Sequence, residues 1–545
     1  MASIKDKNMD TLLFDVQADT IPGVVIDAAS KYTGITAIRD GNESIAYEAL
    51  PEKMVEVTKG LISLGVNKGD RVAIWAPNSM RWIVAALGLQ AAGAVLVPLN
   101  TRMKVHEAKE IIERSGSKVL FCVGDFLNSD FPAQLADAMP VGLEKIVVMS
   151  KRTAPLQANM LEWDDVIRAG ERVSHHDVYS RLSSLEASDA SDLMFTSGTT
   201  GKPKGVVSVH SACIQAFKEY IQIIGLRPAE RYLVINPFFH AFGYKAGWVS
   251  ALLAGATILP EQVFDAEKVL KRIESESINI LPGPPTLYLS LLSHPNLNKT
   301  NLSSLRVAVT GASTIPPILI EQMKAELGIE TVTTAYGLTE CGGLATICDP
   351  LSPSEVIAQT SGKAIAGTDV AIFDKQGQQL SYGEAGEVCI RGFHVMKEYF
   401  EDPTATEETI DSEHWLHTGD LGVLDAMGNL KITGRIKDMF IVGGFNCYPA
   451  EIEAALAENT QIAQSAVIGV PDERMGEVGC AYIVVKDGSE LDETEVIRWS
   501  RERMSNYKVP RYVRFVDSLP VNASNKVLKN ELVQRFQSDT HATAD

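Results

Sequence analysis

The chain has 545 residues, 45% of them hydrophobic and 22% charged, with a formal net charge of −19. Such proportions belong to a folded globular protein, and the length provides for several folding units with a cleft between them. The acidic balance excludes a nucleic-acid binder, which needs a dense basic face against phosphates, but not a small anion held by a few local donors.

The opening stretch, MASIKDKNMDTLLFD, mixes acid and base before any apolar run, so no secretory leader is expected there. Next come the apolar runs RVAIWAP, AVLVPLN, KVLFCVG and KIVVMS, which read as buried strands with amphipathic stretches between them. One segment from Trp82 to Leu99 is nearly uncharged and long enough to cross a bilayer. Gln90, Gly93 and Pro98 interrupt it, so it reads as a helix followed by a buried strand, and no integral membrane segment is expected. TILP, INILPG and LRVAVTGA continue the pattern, and this alternation predicts doubly wound α/β sheets.

Between about 360 and 434 the texture changes to short strands with Gly-containing turns, which predicts a small β-barrel-like subdomain. The remaining segments, from AEIEAALAEN to RYVRFVDSLP, predict a small α+β domain. The expected division is a large N-terminal domain over 1–434, a hinge at 435–438 and a mobile C-terminal domain over 439–545. Seven cysteines at 122, 213, 341, 348, 389, 447 and 480 are scattered without ligand-like clustering, so neither a disulfide framework nor structural zinc is expected. A cytoplasmic enzyme is the expectation.

The segment Thr196–Gly205, TSGTTGKPKG, follows the apolar DLMF and concentrates Gly, hydroxyl and Lys. A loop of Ser197, Gly198, Thr199, Thr200 and Gly201 can turn several backbone N–H groups and hydroxyls towards one anion, with Lys202 and Lys204 supplying charge. The spacing is not that of a Walker A loop, and neither G-x-G nor G-x-S-x-G occurs in the chain, so the dinucleotide fingerprint and the nucleophile elbow are absent.

TSGTTGKPKG resembles the phosphate loop of the adenylate-forming superfamily, which includes acyl-CoA synthetases, luciferases and peptide-synthetase adenylation domains. Further family motifs follow in family order: TAYGLTE at 334–340, WLHTGD at 415–420, GRIKDMFIVGGFNCYPAE at 434–451, and Lys526 in NASNKVLKNEL. The chemistry implied is activation of a carboxylic acid by ATP as an acyl-AMP, with pyrophosphate expelled, followed by attack of a thiol. No covalent protein nucleophile is required; the protein positions the reactants and neutralises phosphate charge.

The resemblance implies that Tyr336, with Thr334, Ala335 and Gly337 around it, stacks on adenine and that Thr339 bonds the α-phosphate. It makes Glu340 the ligand of Mg2+, a hard cation that favours carboxylate oxygen. Gly311, Ala312 and Ser313 look like the adenine-side turn, although this chain delays its prolines to Pro316 and Pro317. Asp420 and Arg435 resemble ribose or phosphate contacts. Lys526 resembles the lysine that bridges carboxylate and α-phosphate, with Asn525 where relatives more often carry Gly. Lys437 matches the hinge about which such enzymes rotate their small domain. Gly443 and Gly444, with Phe445, look like a channel for the pantetheine arm.

His240, in NPFFHAFGYK, resembles the residue that orients the carboxylate, with Phe242, Gly243, Tyr244 and Lys245 expected on the acyl side together with Gly311, Gly342 and Gly343. The bare glycines are read as leaving volume for a wide acid. Lys245 or Tyr244 is expected to bond a polar substituent of that acid. The segment carries no acid for a substrate ammonium, and the chain ends soon after Lys526 without a carrier domain, so CoA is the expected acceptor. The combination is similar to CoA ligases of sterol catabolism that activate a hexahydroindanedione propanoate. A medium- or long-chain fatty or aryl acyl-CoA ligase is the alternative within the superfamily, and a catalytically silent nucleotide-binding protein the alternative outside catalysis. Oligomeric state is left open, a homodimer included.

Overall fold

The computed structural model describes residues 18–542 apart from 137–138, 151, 197–202, 312–314, 316, 444, 473, 487 and 522–526. The first sheet has eight strands, in spatial order Glu398–Tyr399, Lys204–Val209, Ala190–Thr196, Val95–Pro98, Arg71–Trp75, Val119–Cys122, Lys145–Val148 and Met160–Glu162. From Ala190–Thr196 to Met160–Glu162 the pairs are parallel, whereas Lys204–Val209 turns back antiparallel on Ala190–Thr196. That reversal makes the hairpin whose tip is the Gly- and Lys-rich loop.

The apolar stretch 82–99 folds as the helix Met80–Ala91 and the strand Val95–Pro98. Ser79 caps the helix, its Oγ accepting from Trp82 N at 3.2 Å, and Gly93 at φ +80° makes the turn into the strand. The helix is buried on every side because it packs on the helix Leu50–Ser63 as well as on the sheet. At Gly88 a Cβ would lie 2.5 Å from Val57 Cβ, so only glycine allows that approach. No described helix is long and apolar enough to cross a membrane.

The second layer is built from two four-stranded groups joined through bridges at Ile280 to Tyr232 and Val307. One group contains Arg231–Val234, Thr257–Pro260, Thr36–Asp40 and Glu43–Ala46; the other contains Val307–Gly311, Thr331–Tyr336, Thr346–Ile347 and Lys363–Ala364. Thr331–Tyr336 runs parallel to Val307–Gly311, so both chains leave the sheet at the same edge. That edge carries the TAYGLTE segment.

The subdomain expected over 360–434 is a four-stranded antiparallel sheet of Thr368–Phe373, Ala385–Gly392, Leu416–Leu424 and Leu430–Arg435. From Phe440 onward a separate apolar core gathers residues through Phe536 around the long hairpin Ile462–Asp472 and Gly476–Val485. A turn at 436–438 connects the two, with Ile436 N donating to Gly419 O at 2.9 Å. The α/β architecture with a small α+β unit at the C-terminal end is therefore as the alternation of segments implies. All seven cysteines are unpaired and buried.

Candidate functional site

Tyr336 ends the strand Thr331–Tyr336, and Asp420 lies on Leu416–Leu424. The Tyr336 hydroxyl donates to Asp420 Oδ2 at 2.7 Å, while Arg435 Nε lies 2.9 Å from Asp420 Oδ1. Asp420 and Arg435 are cross-strand partners, so the sheet register itself creates the ion pair. Asp420 is only 4% exposed, yet both its oxygens have charged or hydroxyl partners, which is what allows a carboxylate to be buried. Burial, and then the Asp420 charge, push the Tyr336 hydroxyl well above its ordinary value, so it remains a donor. A carboxylate clamped this way retains lone pairs for the hydroxyls of a sugar.

Glu340 sits in the short turn Thr339–Cys341 that follows. Its Oε1 accepts from the Tyr399 hydroxyl at 2.9 Å, and Lys204 Nζ stands 4.7 Å from the centre of the Tyr399 ring. Tyr399 thus holds Glu340 beside the distal foot of the Gly-rich loop. Lys437 is drawn below the ordinary lysine range by burial, with Lys204 and Arg435 contributing repulsion. The Lys204 and Arg435 charges are thus both felt at Lys437, a field suited to an anion.

Thr196 and Lys204 are the last paired rung of the hairpin, and Thr196 Oγ1 lies 3.5 Å from Lys204 O. Ser197, Gly198, Thr199, Thr200, Gly201 and Lys202, together with Ala312, Ser313, Gly444 and Lys526, lie outside the described residues. Val521 and Val527 form an antiparallel bridge on either side of the segment bearing Lys526. Gly311 ends its strand against the carbonyl of Ala335, which a Cβ would meet at 2.7 Å. Gly443, at φ +56°, makes the turn between Phe440–Val442 and Phe445–Cys447.

His240 precedes the short helix Ala241–Gly243, its Nδ1 accepting from Phe242 N at 3.2 Å. Gly243 is obligatory, since a Cβ would sit 2.2 Å from Asn236 O. The chain then makes one π-helical turn, Tyr244–Val249, and its side chains do not do what the motif implies. Lys245 is 1% exposed, with Nζ donating to Ser208 Oγ at 2.9 Å and lying 3.1 Å from Asp192 Oδ1, a contact of charge rather than an aligned hydrogen bond. Tyr244 is fully buried against Trp248, and its hydroxyl accepts from Gln90 at 2.8 Å. The expectation that either residue bonds a polar group of the acid is corrected: both are committed to the core.

Two further expectations change. The Thr334 hydroxyl donates to the carbonyls of Ile357 and Thr360, each at 3.0 Å, so its side chain braces the sheet edge and is not turned to a nucleotide. Gly342 and Gly343 take φ of +69° and +95°, and a Cβ on Gly343 would meet Ala241 Cβ at 2.6 Å. Gly343 lets the Glu340 turn pack directly on the His240 segment and leaves no spare volume there.

Tyr399 escaped the sequence reading, although it directly precedes Phe400, whose N–H donates to Gly205 O at 2.7 Å. Glu387, Cys389 and His417 also went unnoticed, and their ligating atoms lie within 4.8 Å of one another. Glu387 Oε1 accepts from Gly419 N at 3.0 Å and Oε2 lies 2.9 Å from His417 Nδ1, while burial raises the Cys389 thiol. With both carboxylate oxygens engaged and the thiol protonated, this is a hydrogen-bond network that fixes the turn before Asp420. Its signal was the pairing of an acid and a histidine on adjacent strands.

Hydroxyl, carboxylate and cationic groups around one loop base, beside a separate C-terminal unit, fit an α/β enzyme of the nucleotide-binding class. Residues 26–400 match the model of the AMP-binding enzyme family, and residues 451–526 match that of the AMP-binding enzyme C-terminal domain. The chain belongs to the AMP-binding enzymes, and within them it is an acyl-CoA ligase. It is 44% identical over 521 residues, 95% of this chain and 98% of the relative, to the 3-[(3aS,4S,7aS)-7a-methyl-1,5-dioxo-octahydro-1H-inden-4-yl]propanoyl:CoA ligase of Rhodococcus jostii (strain RHA1). The protein of the same name from Mycobacterium tuberculosis (strain ATCC 25618 / H37Rv) is also 44% identical, over 94% of this chain and 98% of its own. Among solved structures, ATP-bound MatB from Rhodopseudomonas palustris superposes with a TM-score of 0.83 at 27% identity, covering 94% of this chain and 99% of that one.

Proposed function

We propose that this enzyme activates a steroid-ring-derived bicyclic propanoate as its acyl-AMP, releasing pyrophosphate, and then transfers the acyl group to CoA in the cytoplasm. The observation that carries the choice of acid is the 44% identity over nearly the full length of two ligases named for such an acid.

The residues support each half of the chemistry. A carboxylate approaching a triphosphate meets charge repulsion, and positioned cations remove it. Lys204, with the loop before it, neutralises the phosphates, while Asp420 and Tyr336 hold the ribose and adenine side. Glu340 offers a carboxylate held in place by Tyr399, a donor type that would hold Mg2+, and the ion would supply positive charge against the phosphates. His240 orients the acid, and Lys526, carried on the C-terminal unit, joins carboxylate to α-phosphate. Rotation about Lys437 would then withdraw Lys526 and bring the Gly443–Phe445 hairpin to the acyl carbonyl as the thiol passage.

The test is a panel of carboxylic acids, bicyclic propanoates among them, scored by AMP release that requires both ATP and CoA. The expected result is the highest kcat/KM on the bicyclic propanoate. A higher value on a plain fatty or aryl acid overturns the choice of substrate while leaving the ligase chemistry standing.

A further inference from the structure

The buried ion pair that removes Lys245 from the acyl site has no part in the scheme above. It joins two elements that both belong to the reaction. Asp192 and Ser208 face each other as one rung of the hairpin Ala190–Thr196 and Lys204–Val209, four residues below the Thr196–Lys204 rung that supports the phosphate loop. Lys245 reaches both members of that rung, at 3.1 Å and 2.9 Å, from a position five residues beyond His240. A second tie runs alongside it. Gln90 Nε2 donates to the Tyr244 hydroxyl at 2.8 Å and to Ser191 O at 3.0 Å, and Ser191 Oγ donates to Asp192 Oδ2 at 2.7 Å.

We infer that the Asp192–Lys245 pair is a positioning device that locks the His240 segment in register with the phosphate-loop hairpin, so that acid and triphosphate are presented at a fixed separation.

Stability alone does not account for the pair. Desolvation of two charges offsets most of their attraction, and an apolar pair of equal volume is often as stable. Charge fixes a direction that apolar packing does not: the ammonium is drawn to Asp192 Oδ1 at 3.1 Å while it donates to Ser208 Oγ at 2.9 Å. The π-helical turn Tyr244–Val249 aims Lys245 inward, and Ser250 Oγ donates to Lys245 O at 2.9 Å, holding that turn. On its other side the segment is fixed by Gly343 against Ala241, within the turn that carries Glu340. The His240 segment is thus clamped between the phosphate loop's stem and the Glu340 turn.

The inference rests on the acyl-CoA ligase reaction but not on the identity of the acid. Its test is the double variant Asp192→Asn with Lys245→Met, which removes both charges at nearly constant volume, together with the milder Ser208→Ala. Acid-dependent ATP–pyrophosphate exchange is measured with any acid the wild-type enzyme accepts, and CoA attack is measured separately on supplied acyl-AMP. With folding confirmed by circular dichroism, the double variant should lose exchange kcat by about 10-fold or more, as sub-ångström misplacement does. Its KM for CoA and its rate with acyl-AMP should stay within about twofold of wild type, which a general loss of structure would not allow. A folded double variant with wild-type exchange, or an equal loss in both half-reactions, overturns the inference. Should the double variant not fold, Ser208→Ala decides: about a threefold loss confined to exchange supports the positioning role, and unchanged exchange removes it. Absence of activity in the wild type on every acid tried would count against the proposed substrate, not against this pair.

Discussion

The proposed nucleotide side of the site takes its groups from strands and a turn, and each carboxylate is held by one or two partners. Asp420 is clamped by Tyr336 and Arg435, and Glu340 by Tyr399. The acyl side takes its groups from a buried helical segment in which the charged residue, Lys245, is spent entirely inside the protein. One region therefore presents charge, and the other hides charge to hold a backbone. The difference shows that a motif residue's type is a weaker guide than the element it rides on: Tyr336 and Arg435 end their strands and Glu340 rides a turn, while every residue of the helical turn Tyr244–Val249 is buried.

The largest effect expected from breaking this contrast comes from a residue belonging to neither region. Lys526→Ala should lower acid-dependent ATP–pyrophosphate exchange by on the order of 100-fold or more, while CoA attack on supplied acyl-AMP persists. Val521 and Val527 are bridged on either side of the segment that carries it. Equal loss in both half-reactions would contradict the role given to this lysine.

On the nucleotide side, Asp420→Ala leaves the Tyr336 hydroxyl and the Arg435 guanidinium without their shared acceptor. KM for ATP should rise on the order of 10- to 100-fold, the worth of charged hydrogen bonds left unmade. Tyr336→Phe removes one bond only and should cost about two- to tenfold. If Tyr336→Phe proved as costly as Asp420→Ala, the carboxylate would be acting through the tyrosine and not on the nucleotide.

A smaller change sharpens the role of the residue that sequence reading missed. Tyr399→Phe keeps the ring under Lys204 but removes the donor that orients Glu340. The Mg2+ concentration for half-maximal exchange should rise about 10-fold, as it does when a partner of a metal-binding carboxylate is lost. An unchanged Mg2+ requirement would place the metal elsewhere.

The contrast also explains what was legible in the sequence. Alternating apolar runs specify two sheets and their helices because both faces are buried, and the hydroxyl–glycine–lysine loop is conspicuous because no core can contain it. Tyr336, Glu340 and Asp420 were singled out because each lies in a motif whose chemistry matches its neighbours. Tyr399 was not, since its importance comes from meeting Glu340 across 59 positions of chain. Lys245 was misread for a related reason. Its partner Asp192 lies on a strand remote in sequence, and nothing local shows that a lysine in an aromatic run is paired. Gly343 was misread because missing side-chain volume looks like a cavity, whereas here it admits the close approach of Ala241.

The smallest effect concerns how the hairpin sheet and the small antiparallel sheet tolerate acid, and it involves histidines outside the chemistry. His210 begins the helix that follows the phosphate-loop hairpin, its Nδ1 accepting from Ile21 N at 3.3 Å, and burial draws it down to about 4. His394 follows the strand Ala385–Gly392 of the small sheet, its Nε2 2.8 Å from the Thr368 hydroxyl, and burial likewise draws it to about 4. Between the ordinary histidine value of 6.5 and about 4, the unfolded chain binds more protons than the folded one at each site. Stability therefore rises with pH through that window and is lost as pH falls, by roughly 1 kcal/mol per pH unit for each histidine. Urea midpoints measured at pH 7 and near pH 5 should show the decline, and His210→Gln and His394→Gln, which retain a polar side chain but cannot titrate, should each flatten it by about half. Whichever replacement flattens the curve more identifies which of the two sheets yields first in acid. A decline unaffected by either would mean that other titrating groups, not these neutral histidines, set the acid limit.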